Sequence, residues 1–334
     1  MKKIFAFIAV TIVSTACANS ENTSGSAQDA ATGSAAKDIT NAIFTKSAIS
    51  CADYANEYQS DVKDVNEKTD FKGSLKITLK DDQCVFATNA IPNHYFNDGA
   101  STFVHKVTAQ DLSYTIPQTP SMTPEATALS LRTDNAIFLN GVKLDLLSAG
   151  CFGIGNGFIG CFDAAHPFRY DPMSPLNDFG TDSHNAHAQP DGTYHYHGNP
   201  LAMFTADTKK ASPVIGFAAD GFPIYGSYFD DNGTIRKAKS SYALKDNGGP
   251  RKSADFEGKT LNPGGNYDGT YTDDYVYDAA NGDLDECNGM TVNGSYGYYV
   301  TDAYPWVLNC FKGTPDKSFN KQPPSGTRPP GSES

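Results

Sequence analysis

Pairs of asparagine or aspartate with glycine punctuate this chain at Asn140-Gly141, Asp191-Gly192, Asp220-Gly221, Asn232-Gly233, Asp268-Gly269 and Asn293-Gly294. Such pairs signal a reversal between strands, because both residues tolerate the left-handed backbone that tight hairpin turns require. The stretches around them have strand composition: SLKITLK (74–80), NAIFLNGVKLD (135–145, turning at Asn140-Gly141), PVIGFAADGFPIYGSYF (213–229) and GYYVTD (297–302). Helical periodicity is weak, with candidates over Ser50 to Val65 and Ser240 to Lys245. The expected fold is mainly β: sandwich-like antiparallel sheets with a few short helices.

The ends of the chain set its chemistry. MKKIFAFIAVTIVSTACANS has two lysines, an apolar run and small residues, the layout of a secretory signal peptide. The run is shorter than the roughly 20 apolar residues that span a bilayer. Ala16-Cys17-Ala18 offers a cleavage site, while Ser14-Thr15-Ala16-Cys17 resembles a lipobox with Ser14 in the usual leucine position, so lipidation at Cys17 and plain cleavage both stand. The expected organisation is a signal over 1–17, a disordered linker over 18–45, one folded domain over 46–315 and a Pro/Gly/Ser-rich tail over 316–334. The expected location is periplasmic or an outer-membrane lipoprotein, otherwise secreted, with membrane contact only through the lipid anchor. Apart from Cys17, six cysteines remain: Cys51, Cys84, Cys151, Cys161, Cys287 and Cys310. An even number in an exported chain suggests disulfides, and neighbours are the expected partners because short loops close at less entropic cost. No Cys-x-x-Cys pair argues for a thiolate metal site.

With 26 basic against 38 acidic residues, the chain lacks the positive surface that nucleic acid requires. Its 18 tyrosines suit strands as well as ligand sites.

The chemistry concentrates in NAHAQPDGTYHYHG (185–198). Gln189-Pro190-Asp191-Gly192 is a type I turn with glycine available for the left-handed closing position of a three-residue loop. That loop would set His187 opposite His195 and Ala188 opposite Tyr194, whereas a two-residue Asp-Gly loop would instead put His187 on the tyrosine face and keep only His195 and His197 together. His187, His195 and His197 then share one face of the hairpin, and Tyr194 and Tyr196 the other. Residues two apart on a strand lie about 6–7 Å apart at Cα, which two imidazoles converging on one ion can span. Three such rings suit a copper or zinc ion with an open position, so a transition metal or small ligand is the expected partner. Satisfied strand histidines are the plainer alternative; four of the seven histidines lying between His184 and His197 argues against it. His184 and the more distant His94 are candidates for supporting or ligand-binding roles, His94 as a remote fourth ligand; His105 reads as structural.

"DGTYHYHGNP", "SPVIGFAADGFPIYG", "LDECNG" and "YGYYVTDAYPWVLNCFKG" together resemble the YHYH domain family of exported bacterial proteins, over about Asn93 to Gly313. The resemblance implies an exported domain, often with a lipoprotein signal, and metal or ligand binding through the repeat; it assigns no activity. Tyr194, His195, Tyr196 and His197 match the naming motif, and Asp220 the acidic residue of "DGFPIYG". DGTYHYHG also aligns with NGSYGYYV (293–300), where Gly297 and Tyr299 replace His195 and His197, so any metal should sit on the first hairpin alone.

Asp220 reads as a turn residue or as a carboxylate orienting an imidazole. Asp283, Asp285 and Glu286, with Asp268, Asp273 and Asp274, lack EF-hand spacing and read as a solvated acidic loop. Common hydrolase and phosphate-loop motifs are absent from the sequence. Three functions follow in order: a metal-binding module, a metal-dependent extracytoplasmic enzyme (hydrolase or oxidase), and a carbohydrate-binding or adhesion domain using exposed tyrosines.

Overall fold

The computed structural model describes residues 35–321. The signal segment, Cys17, most of the linker span and the tail beyond Lys321 lie outside the described residues.

Alternating burial builds the first sheet. Along β3 (Thr69–Lys80), Gly73, Leu75 and Ile77 face inward while Lys72, Ser74 and Lys76 face solvent. It lies between β2 (Asn56–Asp64) and β4 (Gln83–Thr88) in an antiparallel meander that ends in β5 (Leu112–Pro117), with β1 (Lys37–Asp38) parallel at the edge. Ser50 to Val65 is therefore not a helix. One 3-10 turn, Cys51–Tyr54, has the Ser50 hydroxyl accepting from the Ala52 N–H, and the rest is β2, whose nine residues each pair with β3. Weak local propensity yields to that continuous pairing. Ser240 to Lys245 fails as a helix for the same reason: Tyr242–Leu244 pairs with Tyr275–Tyr277, and a short 3-10 turn follows.

The second sheet has eight strands: β6 (Ala136–Phe138), β7 (Lys143–Leu144), β8 (Ala186–Ala188), β9 (Tyr194–Tyr196), β10 (Val214–Ala218), β11 (Pro223–Tyr225), β12 (Gly289–Val292) and β13 (Ser295–Tyr299). Its spatial order is β12-β13-β11-β10-β6-β7-β9-β8. The sheet is mixed, since β9 runs parallel to β7 and β13 parallel to β11. Long excursions separate these partners in sequence, as parallel neighbours require.

The order reads the same from both edges. On each side of the central β6–β10 pair, an inner hairpin lies parallel to one strand of an outer hairpin. The equivalence extends to side chains. In the inner turns, Gly141 N–H donates to Phe138 and Gly221 N–H to Ala218. In the outer hairpins, Asp182 Oδ1 accepts from the N–H groups of His184 and Ala186, and Asp285 Oδ1 from those of Cys287 and Gly289. The short alignment of the two tyrosine strands thus belongs to a structural repeat covering all eight strands.

The two sheets pack face to face through one core: Phe217 of β10 meets Tyr54 at 5.7 Å and Phe86 of β4 at 6.2 Å between ring centroids. Disulfides Cys51–Cys84, Cys151–Cys161 and Cys287–Cys310 join sequence neighbours, as expected. Residues outside 46–315 also take part in the described fold: Lys37–Asp38 pairs in the first sheet, and Phe319 is buried in the core.

Candidate metal centre

The hairpin β8–β9 takes the expected register. Gly192 has φ +85°, its N–H donates to Gln189 at 2.8 Å, and His195 pairs with His187. His197 continues the ladder, donating its N–H to Asn185 at 2.8 Å. The three imidazoles consequently meet: His197 Nε2 lies 3.0 Å from His195 Nε2 and 3.1 Å from His187 Nε2. Three nitrogens around one tetrahedral ion at bonds of about 2.0–2.1 Å would stand about 3.3 Å apart, so small ring adjustments fit them to copper or zinc. His195 and His197 are buried, and His187 stands partly exposed at the rim.

The outward nitrogens set the tautomers. His187 Nδ1 donates to the Phe179 carbonyl at 2.7 Å, and His195 Nδ1 to that of Thr193 at 3.3 Å. Each neutral ring then turns its Nε2 lone pair inward, the arrangement in which an outer partner orients a metal ligand. His197 Nδ1 is buried without a hydrogen bond. Burial holds all three rings below the ordinary imidazole value; His197, His187 and Lys143 add to the effect on His195, and His187 and Lys321 to that on His197. At neutral pH the rings are uncharged and able to ligate.

Charged groups that the hairpin's own sequence does not contain surround this face. Lys143 is the direct cross-strand partner of His195; its Nζ binds Asp134 at 2.9 Å and Gln189 at 3.1 Å. Asp145 Oδ2 accepts from Gln189 at 2.8 Å and from Lys321 at 2.5 Å, while its Oδ1 is buried without a partner. Lys143 and Asp145 were traceable as charges two apart in an otherwise apolar strand. Lys321, at the edge of a polar tail, carried no such signal.

The motif tyrosines point into the core. Tyr194 OH donates to Asp182 Oδ2 at 2.8 Å; Tyr196 OH lies 2.6 Å from His94 Nε2 and accepts from Asn140 at 2.9 Å. His94 is thus held between Tyr196 and the Tyr95 carbonyl rather than poised as a fourth ligand, and His184 packs against it at 4.0 Å between ring centroids. Asp220 forms its turn, but its carboxylate binds Tyr298 OH at 2.6 Å and Gly313 N–H at 2.9 Å, not an imidazole. This is the duplicate of the Asn140–Tyr196 bond. His105 and His166 lie outside both clusters, and His105 is near enough to oppose protonation of His187.

In the second half, Met290, Gly297 and Tyr299 take the positions of His187, His195 and His197. A Cβ at Gly297 would lie 2.5 Å from Tyr225 Cε2, and Tyr225 stacks on Tyr299 at 5.0 Å, so the equivalent space is filled by a ring. The acidic loop is occupied by protein partners: Asp283 binds Arg236, and Asp285 and Glu286 bind Lys312. Cys151, Cys161 and His166 also cluster, but the disulfide removes the thiolates such a site would need.

The tyrosine-side cluster makes stability pH-dependent. Burial, with His184 beside it, pushes His94 down to about 3, against about 6.5 for a free imidazole. The unfolded chain therefore binds an extra proton between these values, and stability present at neutral pH is lost as pH falls through that window, by about 5 kcal/mol. Asp171, which burial raises to about 6, works in the opposite direction. Urea midpoints at about pH 7 and about pH 4.5, in chelator, should fall more steeply on acidification for the parent than for His94→Gln. Equal slopes would remove His94 as the cause.

No curated protein and no solved structure matches the chain significantly. The family model described as YHYH protein matches residues 113–313, taking in all eight strands of the duplicated sheet and the histidine hairpin, and the chain belongs to that family.

Proposed function

We propose that this is an exported protein that binds one transition-metal ion through His187, His195 and His197. The observation that carries the reading is the approach of three Nε2 atoms, two with their tautomer set by backbone carbonyls, on a largely buried face. Copper ranks before zinc, since imidazole sites follow the Irving–Williams order. A bound ion would offer Lewis acidity at its open position, and the three chain ligands would fix its orientation.

A metal-dependent enzyme is the second reading, favoured by the unpartnered Asp145 oxygen beside His197. Sugar binding through the motif tyrosines has less support, because Tyr194 and Tyr196 are fully buried. Export rests on the leader-like N-terminus and three disulfides, and lipidation at Cys17 on the lipobox resemblance.

The test is titration of chelator-treated, untagged protein with Co2+ and Cu2+, followed by absorption. One equivalent should bind, with the intense visible bands of tetrahedral cobalt. Absence of binding, or several weak equivalents without those bands, would overturn the reading.

A further inference from the structure

The paired charges beside the histidine face balance one another before an ion arrives. Lys143 and Lys321 contribute two positive charges, and Asp134 and Asp145 two negative ones, in contacts of 2.9 Å for Lys143–Asp134 and 2.5 Å for Lys321–Asp145. The side chains of Lys143, Asp134 and Asp145 are at most 7% exposed, so these charges are not diluted by water. The three imidazoles add none. A divalent ion would therefore bring two uncompensated positive charges to a buried face, which is costly without a counter-charge.

Asp145 stands beside this face. It follows Leu144, which pairs with Tyr196, and its own N–H donates to the Tyr196 carbonyl at 3.0 Å, so Asp145 is the cross-strand neighbour of His197. Its Oδ2 is saturated by Gln189 and Lys321, whereas the buried Oδ1 has no donor among the described residues. A buried acceptor without a donor costs stability unless a ligand supplies one.

Resting on the metal-site reading above, we propose that the open position of the ion takes a small oxyanion that retains a proton, such as hydrogencarbonate or hydrogenphosphate. The anion offsets the charge of the ion and is attracted by Lys321, and Asp145 Oδ1 accepts its O–H.

The experiment uses the full chain loaded with Cu2+, metal content being measured first so that loss of the ion is seen separately. Azide, an anion without an O–H, and hydrogencarbonate are then titrated by copper absorption and electron paramagnetic resonance. Both should bind. Lys321→Gln should weaken both by about tenfold or more, Lys321→Arg should retain them, and neither change should reduce copper uptake. Asp145→Asn should weaken hydrogencarbonate more than azide. A copper-loaded chain that takes neither anion, or a Lys321→Gln chain that binds them as the parent does, overturns the proposal. Equal effects of Asp145→Asn on both anions overturn the role of Asp145. A chain that binds no copper overturns the metal reading and this inference together.

Discussion

An H197A chain should lose more than about 100-fold in affinity for Cu2+ or Zn2+, since even the outer partners of metal ligands are worth about 10- to 100-fold. His197 is the central ligand, its Nε2 within 3.1 Å of both other rings, so its removal leaves two imidazoles without the nitrogen that joins them. H195A should behave alike. The fold should persist, because the Pro190-Asp191-Gly192 turn and the buried tyrosines on the opposite face are untouched. H105A should change affinity little, as His105 is near His187 but not among the converging nitrogens. Burial keeps the three rings below the ordinary value, so protons should begin to compete with the ion below the pH of about 6.5 at which a free imidazole titrates. Calorimetric titration with circular dichroism of each variant decides it; unchanged affinity in folded H195A and H197A would exclude this hairpin as the site.

Arg251→Ala should cost about 3–5 kcal/mol of stability, among the largest single-residue effects expected in the chain. Arg251 grips Asp274 through two bonds of 2.8 Å, with side chains 4% and 0% exposed. The truncation leaves the Asp274 carboxylate buried with only the N–H groups of Gly269 and Tyr271, at 3.1 and 3.2 Å. Replacing both partners by apolar residues of similar size should cost less than removing one, because no orphaned charge then remains. Urea denaturation measures both variants. A loss below about 1 kcal/mol for Arg251→Ala would mean that water or a rearranged loop reaches Asp274. Metal affinity should not change, since neither residue touches the histidine face.

The candidate site was legible because strand geometry is local. A three-residue loop sets register, register sets which side chains share a face, and alternation then places His187, His195 and His197 together and the two tyrosines opposite. Disulfide partners were legible for a related reason, as near neighbours in sequence close the cheapest loops. The charged surroundings were not. Lys143 and Asp145 come from a strand some fifty residues earlier, and Lys321 from the far end of the chain.

Spacing over a few residues was enough to specify the mainly β composition, the turns and the histidine face. Pairing between distant segments made Asn56–Asp64 a strand, gave Asp220 to Tyr298 rather than to an imidazole, and set the two tyrosine strands in equivalent places of an eight-stranded structural repeat. Those outcomes depend on pairing between segments far apart in the chain, whose energy no local pattern encodes.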